Sequence, residues 1–285
     1  MRVEDCLIQA LSVFISFCEE HHLKYCGASG TVLGAIRHHG FIPWDDDIDV
    51  YMPRQDYECL LELSDQLPTP YKIVDISEMG YTAPFAKFVD ASTSIWEVEQ
   101  VPYMLGAYID IFPLDDCPDD YDDLIRTKEA MNETFFLYFH SLYQWKCIDL
   151  IKLFLTGQMD LFRKVFGMKF YHAYKKKTYY HQLKALLEKL ASASGDRLCA
   201  SLLDPFDQRY IYEKKWFESY IDVEFENIKI KVPSGYDAYL HYLYGDYMQL
   251  PPIEDRKSHH ERYYVNLEKG LSIKEAKKII NKQKR

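Results

Sequence analysis

The stretch GTVLGAIRHHGFIPWDDDIDV, residues 30–50, holds most of the residues on which the fold and the chemistry of this chain depend. Four carboxylates lie within five of its positions, at Asp45, Asp46, Asp47 and Asp49, with apolar residues on both sides. Burying a carboxylate without a partner is costly, because the charge loses its hydration. The density of acids in an apolar setting therefore indicates a site that binds a cation.

The end of this stretch alternates polar and apolar residues, as a half-buried β-strand does. Asp47 and Asp49 then project from one face, while Ile48 and Val50 enter the core. Two carboxylates fixed side by side on a strand offer the oxygen ligands that Mg²⁺ or Mn²⁺ prefers. We predict that Asp47 and Asp49 bind one of these ions.

The start of the stretch predicts a site for an anion. Gly30 and Thr31 are typical of a tight turn that opens a helix, which we expect over residues 32–38. The free N–H groups at the start of that helix would face a phosphate. Arg37 would add a guanidinium group for phosphate oxygens, or else form a salt bridge with one of the four aspartates. An anion site beside a cation site is what phosphoryl or nucleotidyl transfer requires.

Two other interpretations of the aspartates stay open from the sequence. A run of aspartates is often a solvated surface or a turn. A Ca²⁺-binding EF-hand loop beginning at Asp45 is a second alternative, but Val50 stands where that loop needs a glycine.

Composition narrows the class of protein. With 285 residues, 48% of them hydrophobic and 27% charged, the chain is long and apolar enough for a globular core. The formal net charge of −10 argues against general binding of nucleic acid. The seven cysteines are scattered and form no C-x-x-C pair, which is typical of a reducing compartment. No signal peptide or membrane-spanning run is apparent, so we expect a cytoplasmic protein.

The stretch resembles the signature of the LicD family, a branch of the nucleotidyltransferase-like superfamily that also includes the fukutin-related proteins. In that signature a Gly-[Gly/Ser] turn precedes an acidic-apolar-acidic triplet on a strand. Gly30-Thr31 matches the turn, with Thr in the second place, and Asp47-Ile48-Asp49 matches the triplet. A second resemblance covers residues 232–252, where the family has a Pro-x-Gly-Tyr-x-x-Tyr-Leu helix followed by Tyr-Gly-Asp-Tyr.

Two further residues follow from the resemblance. The third carboxylate of the family lies in a strand reading Asp-Ile-Phe-Pro-Leu, which residues 110–114 match. Asp110 would then complete the metal site, and its alternative is a carboxylate at a sheet edge that faces water. Lys87 matches a basic residue of the family on a strand near the site, and would contact phosphate. Its alternative is a strand lysine with a solvated head group.

The resemblance implies an α+β fold with a nucleotidyltransferase-like mixed sheet core, flanking helices and a helical insertion. We expect a catalytic core at residues 1–117, a helical region at 118–205, and C-terminal strands and a helix at 206–285 that pack back on the core. LicD enzymes transfer a phospho-alcohol, most familiarly phosphocholine, from a CDP-alcohol to a hydroxyl of a cell-surface glycan or teichoic acid precursor. The catalytic residues would be Asp47, Asp49 and Asp110, and the acceptor a glycan or lipid-linked glycan.

Two other functions stay open beside phospho-alcohol transfer. The same carboxylates would support a nucleotidyltransferase that acts on a sugar phosphate or alcohol phosphate. A protein of another class would bind a glycan or nucleotide without catalysis, although three costly acids argue against a site that performs no chemistry.

The helical middle of the chain has an unusual charge. Residues 146–184 contain nine Lys or Arg and two Asp, a net charge of +7, with many aromatic residues between them. This pattern indicates either a solvated helix face or a surface for anionic lipid headgroups or a lipid-pyrophosphate acceptor. A peripheral contact at the inner face of the membrane therefore stays open. Within this region we predict helix breaks at Gly157, Gly167 and Gly195.

Overall fold

The protein was analysed as a computed structural model that describes residues 2–118, 120–204, 211–258 and 262–283. Its α-helices are α1 (Val3–Glu20), α2 (Ser29–His38), α3 (Arg54–Glu62), α4 (Asp122–Ser141), α5 (Cys147–Leu155), α6 (Met159–Phe166), α7 (Ala173–Ala191), α8 (Tyr236–Tyr244) and α9 (Ile273–Gln283). Its strands are β1 (Cys26–Gly27), β2 (Asp49–Pro53), β3 (Tyr71–Val74), β4 (Ala86–Trp96), β5 (Leu105–Cys117), β6 (Leu198–Ala200), β7 (Ile211–Glu213), β8 (Tyr220–Phe225), β9 (Ile228–Pro233) and β10 (Tyr264–Asn266).

The main sheet is mixed and flanked by helices, which confirms the predicted α+β class. Its strands follow the order β1-β2-β5-β4-β10, with β3 also paired to β4, and with β6 and β7 extending from β5. β2 and β5 run parallel, whereas β4 runs antiparallel to β5. The parallel pair is buried at the centre, as parallel strands usually are.

Helix α1 packs across one face of β4 and β5. Its Phe14 ring lies 5.4 Å from the ring of Tyr25 and 5.6 Å from the ring of Phe88. Because side chains alternate along a strand, the neighbours of Phe88 point to the other face. Lys87 therefore lies on the face opposite α1, together with Asp110, its partner in the register between the two strands. Helix α1 therefore covers one face of the sheet, and Lys87 and Asp110 lie on the opposite face.

After β5 the chain leaves the sheet and forms the helices α4 to α7. It returns to the sheet at β6, which pairs with the end of β5. Gly157 has a φ of +71° and separates α5 from α6, as predicted. The predicted break at Gly167 is wrong, because a π-helical turn over Gly167–His172 joins α6 to α7 without an interruption. The division into three regions remains a prediction, and strand pairing crosses both of its boundaries.

The C-terminal part contains a β-hairpin and a helix. β8 and β9 pair antiparallel around a turn at Glu226 and Asn227. Helix α8 buries Tyr239, Leu240 and Leu243 and ends before Gly245, whose φ is +66°. In the part of the chain that the structure describes, no helix combines the length and the apolar character that crossing a bilayer would take.

Candidate active site

Two of the predicted carboxylates lie next to each other on the central parallel strands. Asp49 on β2 is in register with Asp110 on β5, and the Asp110 N–H donates to the carbonyl of Ile48 at 2.9 Å. The hydroxyl oxygen of Thr31 accepts the N–H of Asp49 at 2.9 Å. The backbone of both acids is therefore held by hydrogen bonds, and their side chains are presented from rigid strands.

These residues line a cavity of about 480 Å³ in front of the sheet. One set of lining side chains is acidic, namely Asp47, Asp49, Glu97, Asp110 and Asp204. Another set is aromatic, namely Phe85, Tyr108, Phe112, Phe135, Phe136 and Phe139. The cavity thus combines oxygen ligands for a cation with ring faces that attract an organic cation.

Lys87 lies in this cavity and pairs with Asp110. Its side chain is buried at 5% exposure, so the alternative of a solvated head group is wrong. The ammonium group also lies 3.6 Å from the centre of the Tyr108 ring, in a cation–π arrangement. Lys87 therefore brings one positive charge to the acidic side of the cavity. A contact with phosphate remains a prediction.

Thr31 and Gly30 lie in the first turn of α2, which begins at Ser29, three residues earlier than expected. Neither residue lines the cavity. The Thr31 N–H is already bonded to the carbonyl of Ala28, and the carboxylate of Asp45 lies against Gly30, where a Cβ would be 2.8 Å from Oδ2. The observed role of this turn is to hold Asp45 and Asp49, and binding of a phosphate there remains a prediction.

Arg37 is not brought to the acids. Its guanidinium donates to the backbone carbonyls of Tyr247 at 2.6 Å and Gln249 at 3.3 Å, and the residue does not line the cavity. The alternative of a salt bridge with one of the four aspartates is therefore wrong, and a contact of Arg37 with phosphate remains a prediction. The guanidinium fixes the segment after α8 against α2, because backbone carbonyls there need a donor.

The neighbouring Asp46 is held by the C-terminal part of the chain. Its carboxylate forms an ion pair with Arg262 at 2.7 Å and accepts the hydroxyl of Ser258 at 2.9 Å. Arg262 also donates to the carbonyl of Asp46 at 2.9 Å. These contacts fix the loop that leads into β2, and so they help to position Asp47 and Asp49.

Three acids in and beside the cavity, Asp45, Asp49 and Asp110, have raised pKa values because they are desolvated and lie close to other carboxylates. Burial, then the charges of Asp47 and Asp110, raises the pKa of Asp49 well above its usual range. Burial raises the pKa of Asp110 to about 6, although the Lys87 ammonium acts in the opposite direction. Burial and the charge of Asp47 raise the pKa of Asp45 to about 8. The cluster thus carries more negative charge than the protein alone compensates.

The chemistry of this cluster fits a divalent cation. Its side chains supply oxygen atoms alone, the donor type of Mg²⁺ and Mn²⁺ sites, and the raised pKa values of Asp49 and Asp110 show that a positive charge would be favourable. In the described residues, 2–118, 120–204, 211–258 and 262–283, no group of three Asp, Glu, His or Cys side chains is arranged so that it could hold a metal ion. Binding would therefore need side-chain rotation within the cavity, and Mg²⁺ remains a prediction.

Without divalent cations, we expect the protein to become less stable as pH rises from about 5.5 to about 8.5. The pKa values of Asp45 and Asp110, about 8 and about 6, lie above the ordinary value of 3.8, so the folded state holds more protons than the unfolded state. Their contribution is complete below the unfolded pKa and is lost as pH passes the folded values. Thermal melting in EDTA would measure the fall in Tm.

Asp45→Asn is the matched variant for this measurement. It removes one titrating group, so the difference in Tm between the two pH values should shrink. Added Mg²⁺ should restore more stability at the higher pH than at the lower one, because the acids are then ionised. A Tm that stayed level or rose with pH in EDTA would show that the acids are not strained by their mutual repulsion.

Several residues of the cavity were not found from the sequence. Phe135, Phe136, Phe139 and His140 come from α4, and the sequence pattern predicted that helix without showing which of its faces meets the sheet. Glu97 and Asp204 are additional acids of the cavity. They carry no local motif, since only the fold brings them to Asp49 and Asp110.

The chain is similar to known proteins over most of its length. A family model described as LicD/FKTN/FKRP, nucleotidyltransferase domain, matches residues 22–141, which include every predicted site residue. The chain is 30% identical over 257 residues to lipopolysaccharide cholinephosphotransferase LicD of Haemophilus influenzae, with 89% of this chain and 92% of that protein covered. Over 85 residues it is 34% identical to protein RP689 of Rickettsia prowazekii, which covers 28% of this chain and 29% of that protein.

Proposed function

Because the chain belongs to the LicD/FKTN/FKRP nucleotidyltransferase family and is a transferase of phosphorus-containing groups, we propose that it transfers phosphocholine from CDP-choline to a hydroxyl of a cell-surface glycan. The observation that carries this proposal is the cavity, which has five carboxylates and six aromatic rings among its lining residues. A donor with a pyrophosphate at one end and a quaternary ammonium at the other matches both sets.

Asp47, Asp49 and Asp110 would hold Mg²⁺ or Mn²⁺ in this proposal. When bound, such an ion neutralises the charge on phosphate oxygens and lowers the barrier to displacement. The ammonium of Lys87 lies beside Asp110 and would contribute a second positive charge to the pyrophosphate. The protein thereby orients the donor with its phosphorus toward the acceptor.

The aromatic side of the cavity would take the choline group. Both Phe135 and Phe136 line the cavity, and Phe135 is buried whereas Phe136 is 38% exposed. Ring faces attract a quaternary ammonium through their quadrupole, and they need no hydrogen bond from it. A primary ammonium would gain less, because it gives up hydrogen bonds to water when it enters an apolar site.

Asp110 would serve as the base. The hydroxyl oxygen of the acceptor attacks the phosphorus of the choline phosphate, the bond from that phosphorus to the bridging oxygen of CMP breaks, and the hydroxyl proton passes to Asp110. Without a bound cation, burial raises the pKa of this carboxyl to about 6, so it is ionised at neutral pH and can accept a proton.

We place the reaction in the cytoplasm at the inner face of the membrane. All seven cysteines are free thiols, and five of them are buried. Free thiols are typical of a reducing compartment, where disulfides do not persist. The glycan acceptor would be met there as a precursor before it reaches the cell surface.

A thermal-shift titration tests the proposal. CDP-choline should raise Tm in the presence of Mg²⁺, and CDP-ethanolamine, CDP-glycerol, CDP-ribitol and CTP should raise it less. Phe136→Leu should weaken the binding of CDP-choline by roughly 10- to 30-fold, which corresponds to the loss of about 2 kcal/mol of cation–π attraction. Phe154→Leu, on an exposed ring that does not line the cavity, is the matched control.

Three outcomes would argue against this function. Equal shifts with CTP and CDP-choline would favour nucleotidyl transfer. A shift with CDP-choline but no transfer to any glycan would indicate a binding protein. If a Phe136→Leu variant bound CDP-choline as tightly as the native protein, the choline group would not bind at the aromatic side of the cavity.

A further inference from the structure

A row of four phenylalanine rings runs along the outside of the helical middle. The ring centres of Phe154 and Phe162 are 5.7 Å apart, those of Phe162 and Phe166 are 5.9 Å apart, and those of Phe166 and Phe170 are 4.7 Å apart. Phe154, Phe166 and Phe170 are 57%, 48% and 50% exposed. The phenylalanine row therefore forms one continuous apolar surface across α5, α6 and the π-helical turn.

Helix α5 extends this surface. Ile148, Ile151 and Leu155 are exposed and share the helical spacing that places them on the same side as Phe154. Within α5 only Leu150 is buried. An outward-facing apolar stripe of this length, joined to the phenylalanine row, marks a surface that binds something.

Positive charge surrounds the apolar surface. Residues 146–184 carry a net charge of +7 in a chain whose total is −10. Lys152, Arg163, Lys164 and Lys177 are exposed. The ammonium of Lys169 lies 5.9 Å from the ring centre of Phe170, so charge and apolar surface meet within the row itself. A ligand that matches this surface therefore has anionic groups at its own surface and apolar groups beneath them.

We propose that the phenylalanine row, the outer side of α5 and the lysines around them bind the surface of an anionic bilayer. Anionic headgroups match the lysines, and the acyl region below them accepts the phenylalanine rings. A second copy of this chain is a poorer match, because it would bring two positively charged surfaces together. Binding of free phosphate would leave the phenylalanine row exposed to water.

This surface and the cavity share helix α4. The helix supplies Phe136 and Phe139 to the cavity and packs on α7 and on the π-helical turn that carries Phe170. A bilayer bound at the row would therefore lie near the helix that forms one wall of the cavity. An acceptor that is anchored in the same bilayer would then reach the site by diffusion in the plane of the bilayer instead of through solution.

Flotation with vesicles tests the proposal without any need for activity. The purified full chain is mixed with vesicles of phosphatidylcholine alone, or with vesicles that contain about 30 mol% phosphatidylglycerol. We expect at least about tenfold more protein to float with the anionic vesicles, and about 0.5 M salt to reduce that binding. Absence of binding, or equal binding to both kinds of vesicle, would overturn the proposal.

Two variants separate the apolar and charged contributions. Leu155→Ser with Phe166→Ser, and separately Lys164→Glu with Lys177→Glu, should each lower the partition coefficient by about tenfold or more. Ile253→Ser is the matched apolar control, because Ile253 and Leu155 are both 77% exposed, and Lys229→Glu is the charge control.

The variants also distinguish the other occupants of the surface. Unchanged circular dichroism and Tm would confirm that the exposed substitutions leave the fold intact. Binding that fell equally in the control variants would contradict the assignment of this surface. Concentration-dependent dimers that Leu155→Ser abolishes, without vesicle binding by the native chain, would assign the surface to a second copy instead.

Discussion

Asp49→Asn is expected to lower kcat for phosphocholine transfer by about 10³-fold or more while the protein stays folded. The substitution keeps the shape of the side chain and removes the charge that would hold the cation. Burial and the charges of Asp47 and Asp110 raise the pKa of Asp49, so the carboxylate is destabilising when no cation is bound. Tm in EDTA should therefore stay level or rise.

Transfer of labelled phosphocholine to the acceptor and melting in EDTA are the two measurements. Asp65→Asn, at an exposed position outside the cavity, is the control and should change neither. Turnover close to that of the native protein in Asp49→Asn would remove this residue from the catalytic site. A large fall in Tm would instead show that Asp49 is needed for folding.

Arg54→Met is expected to lower the free energy of unfolding by about 3–5 kcal/mol, because it leaves a buried carboxylate without its partner. Arg54 donates to both oxygens of Asp115, at 2.6 and 2.9 Å. The Asp115 side chain is 1% exposed, and burial raises its pKa even with the guanidinium beside it. Urea unfolding near neutral pH measures the loss.

The double variant Arg54→Met with Asp115→Leu is the control for this pair. Replacing both charges with apolar groups should recover most of the lost stability. Lys231→Met, which removes one partner of an exposed ion pair with Asp222, should cost less than about 1 kcal/mol. If Arg54→Met cost no more than Lys231→Met, Asp115 would not depend on the guanidinium.

The sequence predicted the centre of the cavity better than its walls. Asp49 could be assigned to a strand because alternation is a local property, although Asp47, predicted on the same strand, lies in the loop before β2. Asp110 could be added because its strand carries a recognisable motif. The motif ends at Leu114, but the strand continues to Cys117, because β6 pairs with it and Arg54 compensates the buried charge of Asp115.

Partners that are distant in sequence account for the remaining differences. Arg37 suggested a phosphate contact because guanidinium groups often bind phosphate, but its acceptors are carbonyls 210 and 212 residues away. The aromatic side of the cavity depends on which face α4 turns to the sheet. No periodicity in the sequence of α4 could show that face, because the helix has apolar residues on several sides.

The contacts of Asp46 have a consequence for how the protein is made. Arg262 and Ser258 reach Asp46 across more than 200 residues, and the Tyr239 hydroxyl accepts the Ser29 N–H across 210. A nascent chain on the ribosome exposes its acidic strand long before these partners emerge. Such long-range contacts form late, because closing the intervening chain costs entropy. A chain that ended before Ser258 would therefore lack both side chains that hold the Asp46 carboxylate.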